Sequence, residues 1–127
     1  AYINTMRYAG AYYIVAEAYC RKGETEAARV LINHYWHCIG VSEAPAGITN
    51  QALLELILTD KQREFVGEGV NFFDLKRTHL ASLPRYSQWG TSASSSISST
   101  DYRWNFPIPV SEYRFNSVEQ NAGWPSN

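Results

Sequence analysis

A chain of 127 residues, 45% hydrophobic and with a formal charge of −1, has the size of one globular domain able to bury about two-thirds of the surface its unfolded form exposes. A pI near 6.3 and Lys and Arg dispersed among acids give no long-range pull toward nucleic acid or an anionic membrane, and no apolar run reaches membrane-spanning length. The opening AYINTMRYAG carries no initiator Met, apolar signal core or cleavage site, so the expectation is a mature chain or a portion of a longer one.

Thr5 to Arg21 reads as a helix. Tyr8, Tyr12, Val15 and Tyr19 recur at helical spacing as its expected inward face, with Ala9, Ala11, Ala16 and Ala18 allowing a neighbour to approach closely. Gly23 suits its C-terminal cap. Glu24 and Glu26 then favour the positive start of a second helix, which turns Ala27, Ala28, Leu31, Ile32 and Tyr35 inward. An antiparallel hairpin over residues 1–40 is expected, and AEAYCRKGETEAARVLIN resembles one tetratricopeptide unit. A lone pair leaves an apolar face that another element or further repeats must cover. Cys20 sits by the turn and Cys38 lies about 14 residues beyond it, roughly 20 Å along the axis, whereas a disulfide needs Cα atoms within about 7 Å. Two free thiols are expected, which leaves the redox compartment open.

GVSEAPAG at 40–47 is a loop by its Gly and Pro content. Thr49 or Asn50 caps a third helix whose Leu53, Leu54, Ile57, Leu58 and Phe65 form a broad apolar face until Gly67 and Gly69. A short helix through Phe73, Leu75 and Arg77 follows, so that 48–80 forms a second part. Pro84 to Arg103 reads as loop, and GTSASSSISSTD within it as a mobile or weakly ordered excursion. The tail WNFPIPVSEYRFNSVEQNAGWP suits an extended segment pinned across the helices, with Ser111 capping a last helical turn. Residues 81–127 are thus a loop-rich closing segment. The fold class expected is mainly α.

FVGEGVNFFDLKR at 65–77 raises the question of chemistry. A phosphate loop needs backbone N–H groups clear of negative charge between a strand and a helix, and here GEG follows a helix and holds Glu68. The structural reading is a glycine-permitted reversal anchored by Phe72 and Phe73. Glu64 and Glu68, four residues apart, suit either a general acid/base pair or a charge-paired knot with Lys61, Arg63, Lys76 and Arg77 near in sequence. His34, His37 and Cys38 in HYWHC have metal-ligand character, yet Cys38 points about 100° from His37 and no second Cys/His cluster completes a site. The expectation is no metal and no cofactor. No Gly-x-Ser-x-Gly elbow is present. Tyr86, Trp89, Tyr102 and Trp104 border the Ser-rich stretch and suit stacking on sugar rings, or simply anchoring of a long loop.

In this order, RYAGAYYIVAEAY (7–19), LIN (31–33), REFVGEGVNFFDLKR (63–77), FPIPVSE (106–112) and N-x-x-x-QN-x-GW (116–124) resemble the C-terminal part of the SusD/RagB family, over nearly the whole chain. The resemblance implies a non-enzymatic surface lipoprotein of the outer membrane, lipid-anchored in its full-length form. Such a protein captures an oligosaccharide or other nutrient for a SusC-like TonB-dependent transporter. It implies tetratricopeptide-like helical pairs. It also implies a structural polar cluster of Arg63, Glu64, Glu68, Asp74 and Arg77, and a closing strap in Pro107-Ile108-Pro109 and Gln120-Asn121. Gly10 stands where the family commonly has Glu, Asn71 where it commonly has Arg, and YWHC replaces basic residues after Asn33. Two rivals stay open: a helical-repeat scaffold binding a protein through the Tyr-rich hairpin face, and a small metal-dependent enzyme using His34, His37 and Glu64 or Glu68.

Overall fold

Helical periodicity in the first half becomes three packed helices in the computed structural model, which describes residues 7–79, 83–86, 93–113 and 115–125, the strand positions 83–86 and 93–96 by backbone alone. These divide into two compact units, Ala1–Asn71 and Phe72–Asn127.

In the first unit, α1 (Tyr8–Arg21) and α2 (Thr25–Ile39) form a hairpin, and α3 (Asn50–Glu64) packs on both. The pairing of Tyr12 with Tyr35, their rings stacked at 5.0 Å, sets α1 antiparallel to α2. The core holds Ala9, Tyr13, Ala16 and Cys20 from α1, Ala28, Ile32 and Trp36 from α2, and Leu53, Leu54, Ile57, Leu58 and Phe65 from α3 and its end. Each large apolar side chain so buried contributes about 1.5–3 kcal/mol.

The α3 face matches the sequence expectation in full. The α1 face does not: Tyr8 is 80% exposed, Val15 is exposed, and Tyr12 and Tyr19 only flank the core. The inward stripe runs one residue later, because small Ala9 and Ala16 let the backbones approach and leave one ring, Tyr13, to fill the gap. Ala27 likewise faces outward, beside buried Ala28.

Polar side chains close the ends of these helices. Thr49 caps α3 by accepting from the Ala52 N–H at 3.3 Å. Asn50 donates to the Cys20 carbonyl (2.8 Å), which also accepts from the Gly23 N–H (3.0 Å), and itself accepts from Thr25 Oγ1 (2.9 Å). Asn33 pins the 40–47 loop as a backbone strand would: its amide donates to the Ala44 carbonyl (3.0 Å) and accepts from the Ala44 N–H (2.8 Å). After α3 the chain turns through Gly67 (φ +79°) and Gly69 (φ +78°), left-handed conformations that side chains with a Cβ resist. Both cysteines are free, Cys20 buried and Cys38 exposed.

The second unit opens with α4 (Asn71–Thr78) and continues through β1 (Leu83–Tyr86), β2 (Ala93–Ile97), a 3₁₀ turn (Tyr102–Trp104) and α5 (Val110–Tyr113). The reading of 84–103 as loop needs correction: β1 and β2 pair antiparallel, Leu83 opposite Ile97 and Arg85 opposite Ser95, with an irregularity at Arg85/Tyr86. A two-stranded ladder is held by backbone groups and needs no apolar side, so a Ser-rich stretch forms one without alternating hydrophobics. Residues 90–92 of that stretch lie outside the described residues. Ser111 is not a cap either, since it sits inside the turn that begins at Val110, where the Glu112 N–H bonds the Pro109 carbonyl at 3.0 Å.

The closing segment of this unit is tied by side chains. Gln120 Oε1 accepts from the Ile108 N–H (2.8 Å) while its amide donates to the Ile108 carbonyl (3.3 Å). Asn121 donates to the Phe106 carbonyl (2.6 Å) and Trp124 Nε1 to the Asn105 carbonyl (2.7 Å). Phe72 stacks on Phe106 at 5.1 Å and tilts against Trp104 at 5.5 Å. Phe73, expected to anchor beside it, is 67% exposed. Successive helical residues diverge by about 100°, so only one of the two rings can face that aromatic group.

Candidate functional site

In the second unit, α4 and the segment Ser99–Asn105 enclose an open cleft of about 660 Å³. Phe73, Lys76 and Arg77 stand at i, i+3 and i+4 on α4, one side of the helix, and each lines it. His79 follows in a left-handed conformation, φ +52°, with Nδ1 2.9 Å from the Ser99 carbonyl oxygen. Tyr102 is 43% exposed, its ring edge-on to Trp124 at 5.2 Å. Trp104 is 5% exposed and donates Nε1 to the Ser98 carbonyl at 2.7 Å, so it braces the wall and offers no open ring face.

Charge in the cleft is mostly compensated where it stands. Asp101 accepts from Arg103 Nε (2.8 Å), the second Arg103 nitrogen (2.9 Å) and the Arg103 backbone N–H (2.9 Å). Hydrogen bonding to the Arg103 side chain, then to its backbone, holds the Asp101 carboxyl at about 2, well below the usual carboxylate range. Arg77 reaches Asp74 Oδ1 through Nε (2.9 Å) and a terminal nitrogen (2.6 Å) on the same helix. Lys76 has neither an ion pair nor a hydrogen bond among the described residues.

Of the four aromatics expected at a site, Tyr102 and Trp104 line this cleft. Tyr86 lies on β1, and Trp89 lies outside the described residues. Phe73, Lys76 and His79 were not singled out as ligand contacts, although the helical spacing of Phe73 and Lys76 placed them on one face.

The residues expected in a polar cluster take these places. Glu64 and Glu68 both pair with Arg7, Glu68 at 2.5 Å, and Arg7 also lies 4.8 Å over the Phe65 ring. Arg7 was missed because it is distant in sequence. Asp74 pairs with Arg77, and Arg63 is exposed with no ion pair among the described residues. The two glutamates thus share one guanidinium, a single positive charge set between two negative ones.

A buried acid that sequence reasoning passed over lies in the first unit. Asp60 Oδ2 accepts from the Tyr13 hydroxyl and from Trp36 Nε1. Its signal was its position, three and seven residues after Ile57 and Leu53 on the apolar face of α3.

His34 and His37 line a separate groove in the first unit with Arg29, Asn33 and Glu43. The His34 ring lies 6.2 Å from that of Tyr12, and His37 Nδ1 is 3.4 Å from Glu43. Among the described residues no three His, Cys, Asp or Glu side chains gather as a metal ion would need. Nor does any described helix have the length and apolarity to cross a membrane.

A model of the SusD family matches residues 1–124. A solved SusD superfamily protein from Bacteroides vulgatus is 27% identical over 93% of this chain, with a TM-score of 0.69. A SusD-like protein from Bacteroides fragilis is 25% identical over 94%, with a TM-score of 0.72. The chain spans about a quarter of the length of each, 27% and 25%. No curated protein matches it.

Proposed function

This chain belongs to the SusD family, and from that premise we propose that it is the C-terminal portion of a lipid-anchored surface protein that captures a nutrient, an oligosaccharide foremost, for a SusC-like TonB-dependent transporter of the outer membrane. Its role is to bind, without catalysis. The α1–α2 hairpin, closed by small residues and a glycine turn, supports a tetratricopeptide-like unit, and the tied strap of the second unit supports a loop-rich closing segment.

The observation that carries this reading is the open cleft in which exposed Phe73 and Tyr102 stand among Lys76, Asp101 and Asn105. A sugar ring presents a CH face that stacks on an aromatic and a rim of hydroxyls that needs fixed donors and acceptors. Trp104 keeps the wall rigid, and a preorganised wall lowers the ordering cost of binding. Tyr86 and Trp89 complete the proposed contact set.

Isothermal titration of the chain against neutral and acidic oligosaccharides should give heat with at least one, and Tyr102→Ala should weaken that binding about tenfold. Silence across the whole panel would sink the proposal. A second reading, a protein-interaction scaffold, draws on an apolar groove along α1 and α2 lined by Tyr8, Ala11, Tyr12, Val15 and Leu31. It predicts retention of the purified transporter on the immobilised chain, together with no heat from any glycan.

A further inference from the structure

The charge pattern of the cleft narrows the ligand. Of the acidic and basic side chains that line it, Asp101 is engaged by Arg103, Arg77 by Asp74, and the His79 ring is tied to Ser99. Lys76 alone lacks such a partner among the described residues, so one cation is left facing a cavity flanked by the exposed rings of Phe73 and Tyr102. His79 holds a backbone conformation that a side chain with a Cβ adopts at a cost, and such strain collects where a structure positions groups for a ligand.

We propose that the cleft seats an acidic sugar, a uronic-acid residue of an oligosaccharide, with its carboxylate against the Lys76 ammonium and its ring against Phe73 and Tyr102. A single mobile point charge suits a monoanion. The arginine that lines the cleft, Arg77, already turns its fork to Asp74, which leaves the Lys76 ammonium as the group that meets the anion. The inference rests on the nutrient-binding reading and specifies its ligand.

Matched trisaccharide pairs test it: galactose against galacturonate, glucose against glucuronate, mannose against mannuronate, each titrated calorimetrically into the chain at low salt, with monosulfated neutral sugars as a third arm. At least one uronate should bind about tenfold tighter than its neutral counterpart. Lys76→Arg should keep that preference and Lys76→Gln should abolish it, with unchanged circular dichroism in both variants. Equal affinity within every pair, a preference that survives Lys76→Gln, or binding of sulfated sugars alone overturns the acidic-sugar seat and leaves nutrient binding standing. Absence of heat with every sugar overturns both.

Discussion

Tyr13 on α1 donates its phenol hydroxyl to Asp60 Oδ2 on α3 across 2.6 Å, with both side chains buried. Trp36 on α2 donates Nε1 to the same oxygen across 2.5 Å. One carboxylate oxygen therefore receives a donor from each of the other two helices, and each donor would otherwise be buried unpaired. Asp60→Ala should cost about 3–5 kcal/mol, because it strands both. Asp60→Asn keeps an acceptor and should cost less. Urea unfolding with an unchanged m-value measures both, and equal stability of Asp60→Ala and wild type would mean that the donors find other partners.

The same contact predicts an alkaline limit. Burial first, then the hydrogen bond to Asp60, push the Tyr13 phenol above its usual 10.0, and burial raises Tyr12 and Tyr35 too. A phenol that holds its proton more tightly when folded adds stability that is complete below the unfolded value and lost as pH rises beyond it. Stability should therefore fall as pH climbs through about 10. Tyr13→Phe should be about 1.5–3 kcal/mol less stable at neutral pH and decline less steeply above that point. Parallel curves for the two proteins would show that Tyr13 titrates as an ordinary phenol.

At Gly123 two constraints coincide. Its φ is +86°, and a Cβ there would lie 2.4 Å from Tyr102 Cγ. Gly123→Ala should destabilise the second unit by about 2 kcal/mol or more, read as a lower melting temperature. Adding Tyr102→Ala should return part of that loss, since the clashes with the ring carbons go, while the one with the Cβ of residue 102, at 2.8 Å, and the backbone share stay. Strict additivity of the two changes would place the ring elsewhere.

Asp101 offers an acid-side test. Its carboxyl, held at about 2 against an ordinary 3.8 by the Arg103 side chain and backbone, contributes stability that is complete above the ordinary value and lost as pH falls toward the folded one. Carbon-detected NMR should show a midpoint near 2, and Arg103→Ala should bring it back toward 3.8. An unmoved midpoint in that variant would exclude Arg103 as the cause.

The sequence was most informative where one residue type dominates a period. Leu53, Leu54, Ile57, Leu58 and Phe65 announce their face, and all are buried. Thr49 and the glycines after α3 mark the ends of the helix by chemistry that acts locally. On α1 the loud residues misled: tyrosines tolerate exposure, and the quiet stripe Ala9, Tyr13, Ala16, Cys20 is the inner one. Asp60 was illegible for another reason. Its partners are uncharged donors 47 and 24 residues away in sequence, whereas acids had been matched to nearby bases. Tyr102 was legible as a bordering aromatic; Lys76 was not, because its significance lies in the pairing of its neighbours.

Gln120 meets the N–H and the carbonyl of Ile108 with one amide. A side chain that copies a neighbouring strand occupies the very groups a foreign extended segment would use for recruitment. At Ile108 the tail is therefore sealed against templated addition, which closes one route to filament growth there.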